Sequence, residues 1–282
     1  KKLHRFEQTA WLAAQRLKSK APHKTGKLVS SLDLELQKHV ERLAAQDTLD
    51  KTHNVSVLVV ENKTMKVRAH IGSAGRDRPG GWIDMTAKAR SPGSTLKPFI
   101  YGFAFDDGLS APGSFILDAP TRFGTYQPEN FNRRYYGDVR IYEALAHSLN
   151  VPAVLAMDKV GTERFEAALS LSGTNIARPK QRAGDNAHNT GLALALGGAG
   201  LRAEDLAVLY AALANDGLAQ PLVWQENAAP QSSYRMMQTQ SAQKITDILR
   251  QAPTPDGRVP HWLTGGSQAL AYKTGTSYGF RD

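Results

Sequence analysis

Runs suited to β-structure stand toward both ends of this chain, and helical periodicity fills the long interval between them. Residues 55–60 (Val-Ser-Val-Leu-Val-Val) and 65–71 flank a short polar stretch, the pattern of a β-hairpin. A second extended run, 269–278, lies near the other end. Between them, 141–150, 151–160, 163–171, 203–215 and 241–251 carry apolar residues at helical spacing. Strands at both ends with helices between them predict an α+β chain whose terminal strands join one sheet.

The segment before the hairpin differs in character. Leu3, Phe6, Ala10, Leu12 and Ala13 recur at helical spacing in a strongly basic stretch whose single acid is Glu7. Pro22 and Gly26 break that pattern, which predicts a linker helix within 1–26 and a domain over 27–282. Asp33 is a good N-cap for a second helix, with Leu36, Val40, Leu43 and Ala44 on its inner face. The first residue is Lys, so the expectation is a mature or excised fragment.

Composition acts as a filter. Apolar residues make up 41% of 282, and 24 glycines bring the chain into the globular range. The longest apolar stretch, 99–105, is interrupted by Gly102 and stops at Asp106 and Asp107, far short of the ~20 residues of a membrane span. Cysteine is absent, which excludes thiol nucleophiles, disulfides and zinc–thiolate sites. Histidines at 4, 23, 39, 53, 70, 147, 188 and 261 never pair at i+3 or i+4, and no P-loop or dinucleotide fingerprint occurs. No metal and no cofactor are expected. The net charge of +9 (35 − 26) suits anionic partners. With no helix-turn-helix, RRM or zinc-finger signature, nucleic acid is not among them.

Three short motifs carry the chemistry. Pro92 and Gly93 turn the chain before Ser94-Thr-Leu-Lys97, and an apolar helical pattern follows. A serine in the first helical turn sits near unpaired N–H groups, and a lysine three residues on shares its face, which suits a nucleophile and its base. Ser148-Leu-Asn150 puts a hydroxyl and an amide at a helix-to-loop junction 54 residues later. Lys273-Thr-Gly-Thr276 follows 125 residues after that, in an extended run. There Lys273 and Gly275 would share one face, and the glycine would let a substrate backbone approach closely. Each motif alone fits an ordinary helix end or strand end. Their order and contexts together resemble the signature set of penicillin-recognising acyl-serine enzymes.

The flanking text resembles one branch of that set, the transpeptidase domain of class A penicillin-binding proteins. The similarity lies in Arg90-Ser-Pro-Gly-Ser-Thr-Leu-Lys-Pro-Phe99, residues 126–131 (Tyr-Gln-Pro-Glu-Asn-Phe), Glu143-Ala-Leu-Ala-His-Ser-Leu-Asn-Val-Pro-Ala153 and Leu194-Ala-Leu-Gly-Gly198. Residues 118–126 are especially similar to the 1C type of Gram-negative bacteria. The resemblance implies an antiparallel sheet flanked by helices plus an all-helical subdomain. It also implies that 27–282 lacks its C-terminal part, and that any membrane contact runs through a missing N-terminal anchor on the periplasmic face of the inner membrane. With only 276–282 after Gly275, the terminal strand is expected either to pair with a separate chain or to be poorly supported.

The implied function is a peptidoglycan DD-transpeptidase acting on D-Ala-D-Ala stem peptides, acylated by β-lactams and working beside other cell-wall synthesis proteins. Ser94 would be the nucleophile and Lys97 its base, with Ser148 relaying a proton. Asn150 would hold Lys97 and the substrate amide, Lys273, Thr274 and Thr276 would receive the terminal carboxylate, and Gly275 would bind substrate beside them. Backbone N–H groups of Ser94 and Thr276 would form the oxyanion hole. A neutral Lys97 at pH 7 costs about 4.6 kcal/mol from an ordinary pKa of about 10.4, which burial and a second cation, Lys273, would lower. A β-lactamase would need a deacylating carboxylate, and Glu166 reads instead as an exposed helix residue. A catalytically weak penicillin-binding module or a DD-carboxypeptidase of the same fold is the alternative.

Overall fold

The computed structural model describes residues 9–20, 26–47, 52–178, 191–229, 231–253 and 270–277. The chain divides into two compact units. The first takes 1–89, 202–211 and 220–233, and the second takes 90–201, 212–219 and 234–282.

In the first unit α1 (Trp11–Lys20) buries Leu12, Ala13 and Leu17. The expected start of this helix, with Leu3 and Phe6, lies outside the described residues. Helix α2 (Leu34–Asp47) begins where its cap predicts, with the Leu36 N–H donating to Asp33 Oδ1 at 3.0 Å. Strands β1 (Val57–Val60) and β2 (Val67–Ile71) form the expected hairpin, pairing Val57 with Ile71 and Val59 with Ala69. Val40 and Ala44 pack with Ala69 and Ile71, and Leu36 joins them. Leu43, expected on that face, is 50% exposed. A two-stranded ribbon is narrow, so it covers only the i, i+4 stripe 36–40–44.

The second unit is built around α3 (Lys97–Asp106), in which every residue from Lys97 to Phe105 is buried. A helix apolar on all sides belongs in an interior, and α3 packs against later helices of the same unit. Its outer elements follow in order: β3 (Phe115–Asp118), β4 (Gly137–Arg140), α4 (Ile141–Ala146), α5 (Asn150–Val160) and α6 (Thr162–Leu171). Helix α7 (Ala203–Ala214) begins in the first unit and ends in the second. Strands β5 (Leu218–Ala219) and β6 (Tyr234–Arg235) and helix α8 (Thr239–Arg250) complete the second unit. In β3, Ile116 and Asp118 are buried while Phe115 and Leu117 face outward, the alternation of a strand with one covered side.

Two expectations change. Helix 141–150 is interrupted: α4 stops at Ala146, and Ser148 takes a left-handed φ of 57° before α5 starts at Asn150. The terminal strands also do not join one sheet among the described residues, where the ladders are three separate two-stranded antiparallel pairs. Residues 270–277 belong to no strand. Their backbone lies instead against the turn before α3, where a Cβ on Gly93 would stand 2.4 Å from the Thr276 carbonyl oxygen.

Candidate active site

Ser94 occupies a 3-10 turn, Gly93–Leu96, that runs directly into α3, rather than the first turn of the α-helix itself. The difference sets how Lys97 follows Ser94. At three residues per turn, side chains at i and i+3 eclipse, and the Lys97 N–H donates to the Ser94 carbonyl. Gly93 makes the turn possible with φ 53°, and Pro98 at the start of α3 has no N–H to leave unpaired.

Glycines from three distant stretches interlock here. A Cβ on Gly197 (φ 89°) would meet the Gly93 nitrogen at 2.5 Å, and one on Gly275 would meet the Pro92 carbonyl oxygen at 2.7 Å. Ser91 Oγ donates to the Gly197 carbonyl at 2.9 Å and fastens the same turn. The bare face of Gly275, expected to admit a substrate backbone, is therefore filled by Pro92 and the Thr95 methyl. Thr274, Gly275 and Thr276 keep an exposed side.

Lys97 is fully buried. Its Nζ donates to the Ser148 carbonyl at 2.7 Å and to Asn150 Oδ1 at 2.6 Å, with Ser148 Oγ at 3.5 Å. Ser94 Oγ has no hydrogen bond to Lys97 or to any other described residue, so the expected nucleophile–base contact is open. Burial, then the charge of Lys273, hold Lys97 well below the ordinary lysine value. Lys273 Nζ donates to the same Ser148 Oγ at 2.7 Å and to the Thr274 carbonyl at 2.8 Å, and burial brings it down to about 8. The Ser148 hydroxyl thus faces both lysines. Its left-handed backbone, costly for any residue with a Cβ, is what aims the carbonyl and hydroxyl at one amine.

Asn150 holds Lys97 as expected, and its Nδ2 donates one N–H to the Glu129 carbonyl at 2.7 Å. Its backbone N–H donates to Asn130 Oδ1 at 2.7 Å. Asn130 and Gly197 were missed as site residues; both lay in stretches that carried the resemblance, with nothing local to mark their contacts. Glu166 is partly covered rather than exposed and pairs with Arg178. No group of three or more His, Asp or Glu able to hold a metal occurs among the described residues. Among the described residues, no helix is long and apolar enough to cross a membrane.

A turn-borne serine, a buried lysine of lowered basicity and a hydroxyl bridging to a second lysine are the parts an acyl-serine site requires, here on an α+β fold. Residues 55–282 match the family described as transpeptidase, penicillin binding protein transpeptidase domain, and the chain belongs to that family. It is 37% identical to Penicillin-binding protein 1C of Escherichia coli (strain K12), across 98% of this chain and 36% of that protein. Penicillin-binding protein 1B of Vibrio cholerae is 28% identical across 90% of this chain and 33% of its own length. Penicillin binding protein 3 of Mycobacterium tuberculosis, in its apo form, is similar in fold: the TM-score is 0.68 at 21% identity, over 82% of this chain and 59% of that one. The chain thus spans about a third of the length of these two curated relatives.

Proposed function

We propose that this chain carries the acyl-transfer step of a peptidoglycan DD-transpeptidase at the periplasmic face of the inner membrane. Ser94 Oγ attacks the penultimate D-Ala carbonyl of a stem peptide and passes its proton to Lys97. The C–N bond to the terminal D-Ala breaks, and the leaving amine takes a proton through Ser148. A neighbouring stem amine then displaces Ser94 and forms the cross-link. Lys273, with Thr274 and Thr276, receives the terminal carboxylate, and the Ser94 and Thr276 N–H groups face the developing oxyanion. β-Lactams acylate the same serine.

The observation that carries this reading is the Ser148 hydroxyl shared by Lys97 and Lys273, which joins three motifs spread over 180 residues (94–273). A neutral Lys97 amine would keep two N–H bonds to the Ser148 carbonyl and Asn150 Oδ1, leaving its lone pair for the remaining side. Incubation with a fluorescent penicillin and intact mass measurement test it. One adduct on the Ser94 peptide, absent in Ser94→Ala at unchanged melting temperature, is the expected result. Labelling of Ser94→Ala at the original rate overturns the assignment.

A further inference from the structure

A chain of hydrogen bonds leads away from the Lys97 amine and ends on a buried carboxylate. Asn150 is gripped twice by neighbouring residues, its Nδ2 by the Glu129 carbonyl and its backbone N–H by Asn130 Oδ1, both at 2.7 Å. Asn130 is 4% exposed, and its Nδ2 donates to both carboxylate oxygens of Asp118 at 2.9 Å and to the Arg134 carbonyl at 2.8 Å. Asp118 is fully buried on β3 and also accepts the Tyr136 N–H at 3.0 Å. The chemistry fixes both amide orientations: only an oxygen accepts from an ammonium or an N–H, and only the NH2 donates to a carboxylate or carbonyl.

Asp118 has no cation within ion-pair distance among the described residues. A carboxyl group is costly to bury without partners, so the contacts it accepts from Asn130 and Tyr136 hold a geometry that an apolar residue would not. Resting on the reading of Lys97 as the base for Ser94, we propose that Asn130 and Asp118 are positioning residues that aim the Lys97 amine through Asn150. Asn150 supplies one of the two close acceptors on Nζ, so a shift in its position turns the amine's free direction away from Ser94. Asp118 acts through geometry, because the charge that bears on Lys97 is that of Lys273.

The competing role is a staple between β3 and the following loop, with no bearing on the base. Penicillin acylation of the whole chain, followed against pH in Asn130→Ala and Asp118→Asn beside the unmodified protein, separates the two. Neither change alters the side chains of Lys273, Ser148 or Asn150, the groups that face the amine. The expected result for Asn130→Ala is acylation slower by roughly 10²-fold per folded molecule. Its acid limb also shifts to lower pH, because an ammonium that loses an acceptor releases its proton sooner. Asp118→Asn keeps its volume and one accepting oxygen, and shows the same shift in smaller measure; it carries the test if Asn130→Ala does not fold. A lowered melting temperature with an unmoved pH midpoint and unchanged acylation per folded molecule overturns the proposal. An unmodified protein that takes no penicillin on Ser94 overturns the functional reading, and this proposal with it.

Discussion

Gly93 and Thr276 meet backbone to backbone: a Cβ on the glycine would stand 2.4 Å from the Thr276 carbonyl oxygen and 2.7 Å from its nitrogen. Gly93→Ala must therefore both abandon φ 53° and push the 270–277 segment away from the serine. Losing the Thr276 N–H as an oxyanion donor slows acylation by about 10²–10³-fold. Stopped-flow labelling with a chromogenic β-lactam measures it, and an alanine variant that labels normally sinks the oxyanion assignment.

Ser148 sets conformation against chemistry. Ser148→Gly relieves a left-handed residue of its Cβ, whereas Ser148→Ala keeps the strain, and both lose the hydroxyl. The glycine variant should be more stable than the alanine variant by about 1 kcal/mol. Both should acylate roughly 10²–10⁴-fold more slowly if the hydroxyl relays a proton. Paired urea melts and labelling rates decide this, and equal stability of the two variants removes the strain argument.

Lys273 should give stability and recognition opposite pH trends. Its folded value of about 8 lies below the ordinary 10.5, so between these the unfolded chain binds more protons. Stability from this group therefore rises with pH across that window, by on the order of 3 kcal/mol, and is flat below it. Over the same window the cation that would meet a substrate carboxylate disappears, so KM rises. Unfolding of the unmodified protein and of Lys273→Met from pH 7.5 to 10.5 tests the sign; parallel curves would mean the burial cost is absent.

Gly102 interrupts the apolar run of α3 for a reason of space. A Cβ there would approach Met237 Cε at 2.8 Å and Sδ at 3.1 Å. Methionine yields, so Gly102→Ala should cost about 1 kcal/mol, and Gly102→Val should cost more by overpacking. Thermal denaturation of the two variants provides the comparison, and a neutral valine contradicts the close packing.

The elements with strong local signals were legible. The hairpin, the Asp33 cap and the buried run 99–105 all follow from spacing and capping chemistry that act within a few residues. Of the motif residues singled out by type and order, Lys97, Ser148, Asn150 and Lys273 are brought together, while Ser94 Oγ bonds none of them. The break at Ala146 was not legible, since a serine in a left-handed conformation leaves no mark on helical periodicity. Nor were the contacts of Asn130 and Gly197, which depend on partners 20 and 104 residues away (130 to 150, 93 to 197). The strand expected at 269–278 is absent over 270–277 because β-suited spacing does not say what the backbone will lie against.

The interlocked glycines also set an order of events during synthesis. Ser94 and Lys97 leave the ribosome first; Gly197 follows by 104 residues from Gly93 and Gly275 by 182. Long-separated contacts form late because loop closure precedes any reward from them. A nascent chain therefore carries Ser94 in a turn with no far wall and no second lysine until 270–277 emerge. A ribosome-stalled chain ending before 270 should ignore penicillin, so the site stays chemically silent until its third motif has been made.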